Sequence, residues 1–188
     1  QANYNQLVNL FPEFKDVSVD ELVNMINKTE CALIRTEADE LTYPLHIMVR
    51  YEIEKEIAKG NVDYDKLPEL WADKYEEYLG VRPTNYKEGV LQDMHWSTGY
   101  LGYFPTYALG SAYAAQLYAT MEKQFDVEEA LLTNHFEKIT DWLKENVHHY
   151  AASKSMAEIV EEVSGEPFNP DYYTDYLIKK YKKLYNLD

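Results

Sequence analysis

The succession of helix starts and stops limits what this chain can fold into more than any other feature. Ser18-Val19-Asp20-Glu21 has the form of a capping box, and Val19, Leu22, Val23 and Ile26 follow at helical spacing. The apolar period predicts a long helix from Glu37 to Lys59, stopped by Gly60. The next starts at Asp65 and buries Leu67, Leu70, Trp71, Tyr75 and Tyr78 before Gly80. A small-residue helix follows Pro105 and runs through Ala112, Ala114 and Ala115 to Phe125. Asp126 caps a short helix, and Phe136, Ile139, Leu143 and Val147 stripe the one after it. Ser155 and Glu158 form a second capping box, and Gly165 closes that helix. Asn169-Pro170 supplies a cap and a first-turn proline for a last helix, which carries tyrosines and leucines from Tyr172 to Tyr185. No segment alternates at period two. The fold class expected is all-α, a single helical domain over 1–188.

Composition agrees. A chain of 188 residues, 46% apolar and 27% charged, is long enough for one good core. Eighteen basic against thirty-three acidic side chains give a net charge of −15, which argues against nucleic acid or an anionic membrane as partner. The single Cys31 excludes an internal disulfide and a cysteine zinc cluster, and agrees with a reducing compartment. No apolar run approaches membrane-spanning length and no leader is visible at Gln1, so a cytoplasmic location is expected. The missing initiator Met points to a processed chain or, better, a piece of a longer one. The eighteen tyrosines suit half-buried helix faces and polar clefts alike.

Two constellations can carry chemistry. Arg35, in Ile34-Arg35-Thr36-Glu37-Ala38-Asp39, is placed by the pattern at the mouth of a helix, where the dipole disfavours a cation unless it pairs with an anion. That anion is either structural, Glu37 or Asp39, or a ligand carboxylate gripped by both arms of the guanidinium. Asp39, Tyr43, His46 and Arg50 then form one polar stripe. Spacing alone favours a solvated face; the alternative is a stripe facing an internal polar cleft. The second constellation is Gly89-Val90-Leu91-Gln92-Asp93-Met94-His95-Trp96 and the run on to Tyr107, where polar groups alternate with aromatics in a segment too irregular for a helix. His95 fits a general base, an oxyanion donor or a substrate clamp, and equally a core histidine satisfied by a carbonyl. Tyr103 and Tyr107 either face a ligand or cap a neighbour. The His-Glu-x-x-His zinc signature, a phosphate-cradling glycine loop and a Gly-x-Ser-x-Gly elbow are all absent from the sequence.

Taken together, Ile34–Asp39 resembles the Ile/Val-Arg-x-x-Ala-Asp motif of the thermostable (Taq-type) metallocarboxypeptidases, and Gly89–Trp96 resembles their Gly-x-x-Gln-Asp-x-His-Trp motif. Gly102–Gly110, Trp142–His148 and Gly165–Pro170 are similar too. The resemblance implies a helical enzyme with a deep substrate groove that removes amino acids from peptide C-termini with a divalent metal, usually zinc, and forms a homodimer. The family carries its metal on His-Glu-x-x-His and a downstream Glu; this chain has neither, so it corresponds to a C-terminal portion whose partner is the N-terminal portion of the same enzyme. By the same resemblance Arg35 binds the substrate's terminal carboxylate, and Asp39 and Asp93 orient the site groups; His46, from the same polar stripe, is placed with them on the substrate-binding side. His95, Tyr103 and Tyr107 serve the reaction near the metal, and no metal ligand is expected among these residues. The competing reading is a catalytically inactive helical interaction or dimerisation domain, in which Arg35, His95 and Tyr107 point away from one another.

Overall fold

Ser18 and Glu21 exchange the two bonds of a capping box: the Glu21 amide donates to Ser18 Oγ at 3.2 Å and the Ser18 amide to Glu21 Oε2 at 2.8 Å. The chain turns helical at the next residue. Ser155 and Glu158 repeat the device, and Asp126 accepts from the Glu129 amide. Local chemistry of this kind sets the elements of the computed structural model, which describes residues 2–188; Gln1, read above for a leader, lies outside them. Among the described residues there are α-helices and 3₁₀ turns and no strand. The helices are α1 (Tyr4–Leu10), α2 (Val19–Ile26), α3 (Tyr43–Ala58), α4 (Leu67–Leu79), α5 (Pro105–Glu122), α6 (Val127–Leu132), α7 (Phe136–Asn146), α8 (Met156–Ser164) and α9 (Asp171–Tyr185).

One expected boundary moves. The helix predicted from Glu37 begins only at Tyr43, and Arg35–Glu37 is a separate 3₁₀ turn. Pro44 is the reason: with no amide hydrogen, and a ring that clashes with the carbonyl four residues back, proline belongs in a helix's first turn. Arg35 is therefore not at a helix mouth. Near the other end of the chain, Pro170 takes the cap position itself while Asn169 Oδ1 accepts from the Asp171 amide.

Packing gathers in two compact units, residues 27–110 and residues 1–26 with 111–188. In the first, Val49 and Ile53 of α3 close on Trp71, Tyr75 and Leu79 of α4, and each such buried side chain contributes about 1.5–3 kcal/mol. Gly80 ends α4 at φ +67°, a left-handed conformation that a side chain would strain. In the second, Leu117 and Met121 of α5 meet Val127, Trp142 and Val160. Trp142, not Phe136, is the anchor of α7; Phe136 is half exposed. Fully buried Gln116 ties the Gly165–Pro170 segment down, donating to Pro167 O and accepting from the Asn169 amide. No residue of α1 or α2 is buried, and Met25 and Ile26 are exposed.

Candidate functional site

The polar stripe of α3 faces inward. His46 and Arg50 are both 0% exposed, and the stripe continues one turn further than the sequence reading took it, to buried Glu54. The solvated-face expectation is thus corrected. A charged face can be buried only where partners replace water, and here the loop Gln92–Phe104 supplies them.

Asp93 is the centre of that exchange. It accepts from Arg35 Nε at 3.1 Å and Nη2 at 2.6 Å, and from Arg50 Nε at 2.7 Å. Arg35 therefore pairs with Asp93, and not with Glu37 or Asp39 as proximity in sequence suggested. Its Nη1 donates to the Tyr43 hydroxyl at 3.0 Å. Arg50 spends its remaining donors on His46 O, the Tyr75 hydroxyl and Gln92 Oε1, and lies over the Trp71 ring at 4.5 Å. Gln92 Oε1 also accepts from the Arg35 amide, while its Nε2 donates to Leu33 O and Glu88 O. Both guanidiniums, the Asp93 carboxylate and the Gln92 amide thus meet a neighbour, the condition under which buried charge is tolerable, while His46 Nε2 is buried without a hydrogen-bond partner among the described residues.

The protonation states follow. Burial pushes the Asp93 carboxyl up, and the two guanidiniums more than reverse this, holding it below the usual carboxylate range. Burial works to lower Arg35 as well, and Asp93 overcomes it, so Arg35 is held above its ordinary value. His46 is pushed down to about 4, first by burial and then by the positive charges of Arg50 and Arg35. It is neutral at pH 7, its Nδ1 in hydrogen-bond contact with the Tyr75 hydroxyl at 3.0 Å.

Asp39 stands apart. Its oxygens accept from the Thr29 hydroxyl, the Glu30 amide, the Leu41 amide, and the amide and hydroxyl of Thr42, which anchors the loop leading into α3. His46 is fully buried, and Asp39 is bound within its own loop.

The rim belongs to His95 and Tyr107, both partly buried, and to exposed Tyr103. His95 Nε2 lies 3.1 Å from the Tyr107 hydroxyl, and its ring packs on Phe104 at 4.3 Å between centres. Its Nδ1 is buried without a hydrogen-bond partner among the described residues, with Asp93 Oδ1 3.9 Å away. Tyr103 is 45% exposed and its ring centre is 5.7 Å from that of His95. Arg35 reaches the same place from behind, its Cζ 5.2 Å from the Tyr107 ring centre and 5.7 Å from that of Phe104. Arg35, His95 and Tyr107, up to seventy-two positions apart in sequence, are brought together. An imidazole and a phenol so placed can donate to an acyl oxygen, and a second hydrogen on each terminal nitrogen of Arg35 lies beyond its Asp93 and Tyr43 partners.

The family model for the carboxypeptidase Taq (M32) metallopeptidases matches residues 1–181. The chain belongs to this family. It is 48% identical over 176 residues to carboxypeptidase 1 of Bacillus subtilis (strain 168), covering 93% of this chain and 35% of that protein. It is 41% identical over 177 residues to thermostable carboxypeptidase 1 of Thermus thermophilus, covering 94% of this chain and 35% of that protein. The crystal structure of the M32 carboxypeptidase from Deinococcus radiodurans R1 superposes with a TM-score of 0.94 at 34% identity, over 98% of this chain and 38% of that one. The chain spans about a third of the length of the curated relatives it matches. Among the described residues no group of three or more His, Cys, Asp or Glu side chains is arranged to hold a metal ion. Among the described residues no helix is long and apolar enough to cross a membrane.

Glu54 is the site residue that sequence reasoning missed. The signal was available: it falls four residues after Arg50, as Arg50 falls four after His46, on the same face of α3.

Proposed function

We propose that this chain is the C-terminal portion of a divalent-metal carboxypeptidase that removes amino acids from peptide C-termini, and that residues 27–110 are its substrate-handling wall. What carries the reading is the gathering of Arg35, His95 and Tyr107 around Phe104. A helical interaction domain with no chemistry has no need of that gathering, which weighs against it. In this reading His95 and Tyr107, with Tyr103 beside them, donate to the substrate carbonyl and to the oxyanion that develops on it. Arg35 offers its outer hydrogens to the terminal carboxylate while Asp93 holds its inner edge, and Asp39 and His46 support. The metal, read as zinc, is held by the N-terminal portion of the same enzyme. The enzyme is read as a cytoplasmic homodimer whose partners are peptide C-termini, not nucleic acid or membrane.

The test compares peptides with a free C-terminal acid and the same peptides amidated, using the longer polypeptide that contains this sequence, supplied with zinc or cobalt. Acids are cleaved, and the amides lose about 100-fold or more in kcat/KM because a neutral terminus gives Arg35 nothing to pair with. Equal kcat/KM for acid and amide overturns the reading.

A further inference from the structure

We propose that Glu54 is the positioning residue of the His95–Tyr103–Tyr107 rim. It projects from α3 one turn beyond Arg50 and is 6% exposed. A single oxygen, Oε1, accepts from the Trp96 indole N–H at 2.9 Å and from the Gly102 amide at 3.0 Å. Those donors bracket the turn that separates the rim residues, Trp96 following His95 and Gly102 preceding Tyr103. Hydrogen bonds inside the turn, such as the Tyr100 amide to His95 O at 2.9 Å, shape it without tying it to the helix. Gly102 sits at φ +77°, a left-handed conformation that leaves its amide on the Glu54 oxygen.

The other carboxyl oxygen makes the residue a costly choice for packing alone. Oε2 is buried without a hydrogen-bond partner among the described residues, and burying a carboxyl group in that way is costly. An apolar side chain fills the same space without that cost but leaves the Trp96 indole and the Gly102 amide without their acceptor. What Glu54 adds is direction: it pins both ends of the turn to the same face of α3 on which Arg50 holds Gln92 and Asp93. Arg50 thereby sets the near side of the rim and Glu54 the far side.

The first experiment does not depend on the peptidase reading. In ¹H–¹⁵N spectra of the 188-residue protein, Glu54→Leu displaces the Trp96 indole and Gly102 amide signals. It also removes the hydrogen-bond signature of His95 Nε2, while the Trp142 indole stays in place. Glu54→Gln keeps a carbonyl acceptor and restores the His95 signature. Should Glu54→Leu not fold, Trp96→Phe removes one donor and shifts His95 in the same direction. Unchanged His95 signals in the folded variants overturn the proposal. The second experiment rests on the peptidase reading: in the longer enzyme Glu54→Leu lowers kcat by about 100-fold with KM within about threefold, and Glu54→Gln recovers most of it. Normal kcat in Glu54→Leu overturns the positioning role. An inactive wild type overturns the peptidase reading instead and leaves the spectroscopic result standing.

Discussion

Asp93→Asn removes the negative charge shared by two buried guanidiniums and leaves its shape almost unchanged. The side chains of Asp93, Arg35 and Arg50 are 8%, 9% and 0% exposed. Each pair, with about 4 Å taken between charge centres and an effective dielectric near 20, is worth roughly 4 kcal/mol of attraction. Part of that is returned because a neutral amide costs less to bury. What remains is the penalty of buried cations without a counter-charge, about 3–5 kcal/mol. A typical domain has about 5–15 kcal/mol in total, so the loss is a large share. In urea, with a slope of about 2 kcal/mol per molar, the midpoint drops by roughly 2 M. Tryptophan fluorescence follows it, since Trp71 and Trp96 lie in 27–110 and Trp142 in the other unit. Adding Arg35→Met to Asp93→Asn removes one stranded cation and restores part of the loss, so the two changes are not additive. A drop below about 0.5 M, or simple additivity, refutes the account of Asp93 as the counter-charge that makes the cluster tolerable.

Two further outcomes follow from the same structure. His46 is neutral when folded, with its value lowered from 6.5 to about 4. Unfolding below pH 6.5 therefore takes up a proton, so stability is complete above that pH and declines by roughly 3 kcal/mol as pH falls to about 4. Urea midpoints measured across this range show the decline, and His46→Gln flattens it; an unflattened profile assigns the effect elsewhere. Gly102→Ala meets no atom within 4 Å of the added methyl, so only the left-handed backbone is strained and about 1–2 kcal/mol is lost. A Gly102→Ala protein as stable as the wild type in the same titration contradicts that.

Most of the helical scaffold was legible in the sequence because its signals are local. A capping box such as Ser155/Glu158 closes over three residues, and Gly165 stops the helix that follows whatever the rest of the chain does. Where a boundary was misread, at Glu37, the overlooked signal was again local, the proline at position 44. The motif residues were legible as chemistry, since no packing pattern accounts for Gln92, Asp93 and His95 together. Their partners were not. Arg35 has Glu37 and Asp39 close by in sequence, yet it pairs with Asp93, fifty-eight positions away. Glu54 shows no reason to be buried until Trp96 and Gly102 arrive to meet it.

Helix caps and stops are decided by bonds between residues a few positions apart, so the sequence alone determined the all-helical fold and the places where its chain turns. Which charges neutralise one another depends on where a long loop returns, and only packing settles that. The tertiary structure therefore decided that the α3 stripe is an interior and that Arg35 belongs to Asp93. It also decided that His95 and Tyr107 share a rim.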